Sequence, residues 1–436
     1  MSTAVPALSP EVPLALPTPV ERALPNGLSV TLVRRPGVPL AEVRLSIPAA
    51  HADLAVADLL AAALFSGTES STMTQIAQRL QGVGGSLGAG ADPDRIAASG
   101  NCLASGLGEL LDVLGELLTA ADYPEGPLGV ERSRMIDGLS VAEQQPEFQV
   151  SRALDARLWG EHPYGHQQPT AAEVAAVERE AVRALHASRL HPTGARLIIV
   201  GDIDPDATWA AIEKSLSSWN GVGEPRHMEP LPQPAPGPIV LADRPGSVQS
   251  AIRVAYPAVA RTHADNAAQH LANLIYGGYF TSRLVMNLRE SKGYGYSPRS
   301  RVDHSPAGSV QLTSVDVATE VTAPALAEVV AELRGMAENP PDEAELDLAR
   351  RYALGSVKLA TATQAGIANY TSALASCGLP LSWLAEHSER LRAVTPTDIK
   401  RVAAERMSPE GAVTVILGDG SHVTAPLSEI AEIEVL

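Results

Sequence analysis

Cysteine is nearly absent. Cys102 and Cys377 are the two thiols in 436 residues; they lie far apart and make no CxxC spacing, so neither a disulfide framework nor a thiolate metal site is indicated, and a reducing compartment is expected. Basic charge is also short: 33 Lys and Arg stand against 50 Asp and Glu, for a formal net charge of −17. With no long Lys/Arg run, a phosphate backbone is repelled and nucleic acid is not an expected partner. The same field attracts cations, which leaves basic peptides among the permitted ligands, although most such charge serves solubility. Long apolar runs are missing too. The alanine-rich segments are broken by Asp, Glu, Arg or Gly, and none approaches the roughly 20 residues that span a bilayer. The opening MSTAVPALSPEVPLALPTPVERAL has no basic leader and is interrupted by prolines, which predicts an extended arm rather than an export signal. A cytoplasmic protein without a membrane partner is the expectation.

What is present is enough apolar material to fold. Hydrophobic residues make up 45% of the chain and charged residues 19%, too apolar for disorder and too long for one ordinary core. Two halves of roughly 200 residues would each bury on the order of 70% of their unfolded surface without metal or disulfide. GVGEPRHMEPLPQPAPGP, Gly221 to Pro238, is dense in proline and aperiodic, the composition of a semi-extended linker. The expected domains are therefore residues 1–220 and 239–436, joined by 221–238.

The halves repeat each other. RPGVPLAEVRLSIPA from Arg35 is matched by RPGSVQSAIRVAYPA from Arg244, and HPTGARLIIVGD is matched by SPEGAVTVILGD. Pro192 falls against Pro409, Gly194 against Gly411, and Gly201-Asp202 against Gly418-Asp419. Order and approximate spacing are kept at both ends, as in a duplicated domain with loop insertions.

Each half reads as strands, helices and a closing strand. Leu28 to Val33 and Ala41 to Ile47 alternate or are β-branched and predict an antiparallel pair. Leu107, Leu110, Leu111, Leu114, Leu117 and Leu118 share one helical face, as do Leu326, Val329, Val330 and Leu333. Thr395-Pro396-Thr397-Asp398 supplies an N-cap, a proline at the first helical position and a first-turn acid. The mixed order predicts an α+β fold of two tandem duplicated domains, each an antiparallel sheet covered by helices.

At NLIYGGYFTSRLVMNLRESKGYGYS the second half reaches a signature. With PNGLSVTLVRR, ALFSGT, GEHPYGHQQPT and the two closing Gly-Asp strands in shared order, the chain resembles, over essentially its whole length, the insulinase or pitrilysin zinc peptidases, including processing peptidases and small bacterial paired-subunit members. The resemblance implies a processing-peptidase-like fold. In catalytic members an inverted HxxEH motif precedes the LFxGT-like segment. Histidines at i and i+4 share a helix face and hold one zinc, and the glutamate acts on the bound water as base. Here that stretch is Asp58-Leu59-Leu60-Ala61-Ala62, so Asp58, Ala61 and Ala62 replace both ligands and the base. The family's distal third ligand falls near Asp137-Gly138, which leaves Asp58 and Asp137 as at most a remnant carboxylate pair. No metal and no cofactor are expected on this chain. The resemblance assigns substrate contacts instead to Arg289 and Tyr296, an arginine with a tyrosine seven residues on. Arginine offers a fixed, permanently charged fork for carbonyls or carboxylates, and tyrosine a phenolic donor for a developing oxyanion. Tyr294 stands where relatives carry an apolar residue, and Gly277-Gly278 marks a short version of the family's glycine-rich stretch.

Other motifs read as structure. GVGGSLGAG, from Gly82 to Gly90, follows a helical stretch and precedes a strand, the reverse of a dinucleotide fingerprint, and reads as a helix C-cap and loop. His162 and His166 are separated by Pro and Gly, as in a turn. His263 and His270, if on one helix, are two turns apart and cannot chelate one ion. The implied function is the zinc-lacking subunit of a heterodimeric metallopeptidase that cuts peptides once joined to a zinc-carrying HxxEH homologue. The alternatives are a scaffold protein of a larger complex and a stand-alone peptide-binding protein. A neighbouring reading frame encoding HxxEH would favour the first, one for a membrane-complex subunit the second, and peptide affinity of the isolated chain the third.

Overall fold

The computed structural model describes residues 12–221, 223–224 and 226–436. The fold is α+β, built from two six-stranded sheets. The first comprises β1 (Val20–Ala23), β2 (Ser29–Arg34), β3 (Leu40–Pro48), β4 (Ser86–Ala91), β5 (Arg95–Leu103) and β6 (Arg196–Gly201), in spatial order β1-β2-β6-β3-β5-β4. The second comprises β7 (Ile239–Asp243), β8 (Gln249–Pro257), β9 (Arg299–His304), β10 (Ser309–Ala318), β11 (Val413–Gly418) and β12 (Ile433–Val435), in order β12-β7-β11-β8-β10-β9. The two orders coincide, as the internal repeat predicts. Only the outermost strand differs in origin: β1 precedes its neighbour β2 in the chain and pairs with it antiparallel, whereas β12 comes from the far end and pairs parallel with β7.

The predicted β2–β3 pair does not form. The closing strand β6 lies between them, parallel to β2 and antiparallel to β3. Its residues Leu197 to Gly201 are all buried, and a strand apolar on both faces belongs inside a sheet rather than at its edge. The glycine-rich stretch also differs from expectation. The helix Met73–Gly82 ends as read, but Ser86–Ala91 is the edge strand β4, laddered onto β5; small residues hid a strand whose order comes from its neighbour.

The helices follow their sequence signals. Leu107–Ala120 buries all six leucines of its apolar face, and Thr322–Glu338 buries Leu326, Val329 and Leu333. Thr395 caps Pro396–Arg406 in a full capping box with Asp398. The arm and linker are without helix or strand where described, apart from β1; residues 1–11 of the arm and residues 222 and 225 of the linker lie outside the described residues. Leu231 N–H donates to Ala307 O (2.9 Å) and Arg157 donates to Ala235 O (2.8 Å), so the linker is tied down along its course. Among the described residues no helix is long and apolar enough to cross a membrane.

Each half lends a helix to the other. One face of each sheet packs on its own helices, forming the two large cores. The opposite face of the second sheet, with Ala251, Ala255, Val413, Val415 and Leu417, is covered by Val150, Leu154, Leu158 and Trp159 of the first-half helix Pro146–Trp159. Reciprocally Val33, Ile198 and Val200 of the first sheet are covered by Ile367, Ala368 and Leu374 of the second-half helix Gln364–Ser376. The repeated arginines clamp this exchange. Arg44 on β3 donates to Asn369 on the borrowed helix (3.0 Å). Arg253, at the equivalent place on β8, is ion-paired with Glu147 of the other borrowed helix (2.5 Å) and with Asp316 (2.9 Å).

Arg253 is fully buried, whereas the Arg44 side chain keeps some solvent contact. Breaking a buried pair costs about 3–5 kcal/mol and an ordinary hydrogen bond about 1 kcal/mol. Arg44 is also ion-paired with buried Glu42 (2.9 Å), so Arg253→Ala and Arg44→Ala are each expected to lower urea-unfolding stability by about 3 kcal/mol, each in a single transition. Separate unfolding of the two halves in the wild type would contradict the cross-bracing.

Candidate functional site

In the first half, Asp53 caps the helix Leu54–Ala63 by accepting from Val56 N–H (3.1 Å). The motif positions lie within this helix. Ala61 is buried, while Asp58 and Ala62, one turn apart, share a half-exposed face. Ala61 and Ala62 bring no donor atom at all, and no group of three or more His, Cys, Asp or Glu side chains among the described residues is placed to hold a metal ion. The residues present do not fit a zinc centre.

Burial, with the nearby Asp92 carboxylate adding to it, pushes the Asp58 carboxyl up to about 6. Asp92 precedes β5 in the turn Asp92-Pro93-Asp94, and burial also raises Asp94, which accepts a hydrogen bond from Tyr164 Oη. Asp137 is exposed on the helix Glu125–Ala142 and is not among the groups acting on Asp58. The acid beside Asp58 is thus Asp92, missed in the sequence because the two stand on different elements.

In the second half, the helix Asn266–Asn273 runs into a π-helical turn, Leu274–Gly278. The short helix Arg283–Val285 then runs into a second one, Met286–Ser291. Such wide turns concentrate at functional sites. A Cβ on Gly277 would sit 2.8 Å from Ser300 Cβ, and one on Gly278 would sit 2.9 Å from Leu274 Cδ2. Gly277 therefore lets the segment approach the edge strand β9, and Gly278 leaves room for Leu274 and Asn273 of the preceding turn. Asn287 donates to Glu328 and Glu332 (2.8 and 2.7 Å), and Lys292 pairs with Glu328 (3.0 Å), fastening the second π turn to Thr322–Glu338.

Arg289 lies in that second turn. Its guanidinium sits 3.9 Å from the centroid of the Phe280 ring and pairs with Glu290 (2.7 Å). Phe280 is 70% exposed. Downstream, Gly293 turns the chain at φ +67, Tyr294 packs against the core, and Gly295 comes close to the Asp316 carbonyl, where a Cβ would stand at 2.8 Å. Tyr296 follows with its side chain turned outward, 86% exposed, ahead of buried Pro298. Arg289 and Tyr296 belong to one continuous segment, and no hydrogen bond joins them. Phe280 was not read from the sequence; a phenylalanine directly after Tyr279 and the paired glycines, in a chain with three, was the available signal.

The histidines singled out in the sequence form no metal-ligand group among the described residues. His162 and His166 flank the turn Pro163–Gly165, bonded to Glu229 O and to Glu173 respectively. His263 and His270 do not share a helix, which begins at Asn266. His270 instead bonds to His387 (3.1 Å).

The fold defines a class: a duplicated α+β chain of two like six-stranded sheets, in which the positions that the resemblance assigns to metal ligands hold Asp58, Ala61 and Ala62. A family profile described as peptidase M16 inactive domain matches residues 176–352, from before β6 into the helix Glu343–Ala360. Two uncharacterised zinc proteases are similar. The one from Mycobacterium leprae is 24% identical over 64% of this chain and 65% of its own length. The one from Mycobacterium tuberculosis H37Rv is 25% identical over 69% and 70%. The matches thus span about two thirds of these relatives. A peptidase M16 inactive domain from Pseudomonas fluorescens, solved by crystallography, superposes with a TM-score of 0.82 at 25% identity, covering 92% of this chain and 98% of that one. The second half's match to the peptidase M16 inactive domain and the likeness of most of the chain to M16-type proteins agree with the resemblance read from the sequence.

The position of Asp58 makes a prediction. Its carboxyl ionises more easily unfolded, near 3.9, than folded, near 6, so the charge costs nothing below about pH 4 and its full penalty above about pH 6. Discounted for partial solvation, that penalty is on the order of 1 kcal/mol. Asp58→Asn should raise stability by that amount at pH 7.5 and leave it unchanged at pH 3.5, as read by urea unfolding. Destabilisation at pH 7.5 would mean that a cation neutralises Asp58.

Proposed function

We propose that this chain is the zinc-lacking subunit of a heterodimeric M16 metallopeptidase, supplying Arg289 and Tyr296 to a peptide held on an HxxEH partner. The supporting observation is an asymmetry between the halves. Asp58, Ala61 and Ala62 have removed the metal-binding chemistry, yet Tyr296 is displayed to solvent and Arg289 is engaged only by local neighbours. Both groups are cheap to recruit. A cation–π contact on an exposed ring is worth about 0.5–1 kcal/mol and an exposed ion pair about 0–1 kcal/mol, so a peptide carbonyl or carboxylate competes readily for the guanidinium.

In this reading residues 1–220 and 239–436 are the two domains of one bowl, joined by 221–238, and the partner closes over it. The partner supplies zinc and the general base. Arg289 orients the substrate backbone, and the Tyr296 phenol donates to the oxygen that gains charge at the bond under attack. The acidic chain favours basic peptides. Two thiols without a disulfide fit a cytoplasmic protein.

Mixing this chain with its HxxEH homologue should generate peptide cleavage absent from either alone. In a complex verified by gel filtration, Tyr296→Phe should lower kcat about 100-fold with KM little changed, and Arg289→Ala should lower kcat/KM by at least about tenfold. Full activity of both variants in the intact complex, or zinc-dependent cleavage by this chain alone, would sink the proposal.

A further inference from the structure

A cavity of about 320 Å³ lies between the helices Asn266–Asn273 and Trp383–Ala393 and the inner face of β9. Its walls include Arg261, His270, His304, Trp383 and His387. Trp383 and His387 are more than nine-tenths buried. Their rings stack at 4.5 Å between centroids and 10°, and the His270 ring, at 7° to His387, meets it edge to edge through their hydrogen bond, with centroids 5.5 Å apart.

The hydrogen-bond accounts of this wall do not close. Arg261 Nε, Trp383 Nε1 and His387 Nδ1 are buried without partners, as are Nε and Nη2 of Arg390, whose guanidinium lies 5.3 Å from the Trp383 ring. Arg261 lies 5.7 Å from that ring. No ion pair reaches Arg261 or Arg390 among the described residues, and Glu386, one turn before Arg390, does not pair with it. Arg301, which also borders the cavity, is already paired with Asp303 (2.8 Å).

Buried donors are almost always satisfied, and here fully buried Trp383 and His387 and the buried nitrogens of half-buried Arg261 and Arg390 are not. Among the described residues no acceptor reaches these donors, so they are open to one from outside the chain. A metal ion is disfavoured because two permanent cations face the imidazoles. Burial is the main reason His270, His304 and His387 sit at about 3 to 4; Arg261 adds to it in each case, and no carboxylate offsets it. The imidazoles are therefore neutral at pH 7. In the tautomer in which His270 Nδ1–H donates to His387 Nε2, the unpartnered His387 Nδ1 carries a proton and is a donor. Guanidinium, indole and imidazole N–H groups around one small cavity match the several lone pairs of an oxyanion.

We propose that this cavity is a binding site for a small oxyanion, a phosphate or carboxylate group, held by Arg261, Trp383 and His387 with Arg390 behind the indole. The site lies apart from Asp58, and its ligand need not be a peptide, so it stands whether or not the subunit role is correct.

Calorimetric titration of the full chain in constant chloride, with inorganic phosphate in one arm and citrate in the other, tests this. At least one should bind saturably with Kd of about 1 mM or tighter, and the arm that binds names the source. Arg261→Gln should weaken that binding at least about tenfold. Trp383→Phe, which removes the indole donor and keeps the stack, should weaken it several-fold with circular dichroism unchanged, and covers the case in which Arg261→Gln does not fold. The proposal is overturned if neither anion saturates by about 20 mM, if Trp383→Phe binds like the wild type, or if the site takes zinc through His387 instead.

Discussion

The exchange of one helix between the halves is the constraint on which the rest of this structure depends. A mixed sheet with apolar residues on both faces cannot leave one face in water. Each half solves this with a helix from the other: Pro146–Trp159 covers β8 and β11, and Gln364–Ser376 covers β3 and β6. The two halves are thereby braced as one body, with Cys102 and Cys377 both free thiols. The conserved position within the repeat, Arg44 and Arg253, is the hinge pin of this arrangement, since each arginine reaches from its sheet to the helix lent by the other half.

That bracing bears on function through rigidity. The Arg289–Tyr296 segment hangs from wide helical turns whose backbone is held by Asn287, Lys292 and the close approach of Gly277, Gly278 and Gly295 to neighbouring chain. The two side chains proposed to meet substrate are thus presented from fixed backbone, while their own contacts are weak. The first half contrasts with this. At the positions that the resemblance assigns to metal ligands, this chain has alanine beside a carboxyl whose ionisation burial opposes.

Much of the fold was legible because it is periodic or repeated. Leucines at helical spacing, the capping box at Thr395 and the two Gly-Asp closing strands each carry their structure locally. The β2–β3 pair failed because local alternation reports that a segment is a strand and not which strand is its neighbour. β4 was read as loop because small residues have weak strand preference by themselves and take order from the β5 ladder. At the candidate site, Arg289 and Tyr296 were visible as a motif. Phe280 beneath the guanidinium and Asp92 beside Asp58 were not, because they come together only across elements.

By itself the sequence determined a duplicated α+β chain whose residues 58–62 lack the histidines and glutamate of an HxxEH motif, because side-chain identity is fixed before any folding. Tertiary structure alone decided which helix covers which sheet, which acid faces Asp58, and that unpaired buried donors converge around Trp383. Those outcomes depend on long-range packing, where free energy is gained by closing faces that distant parts of the chain must supply.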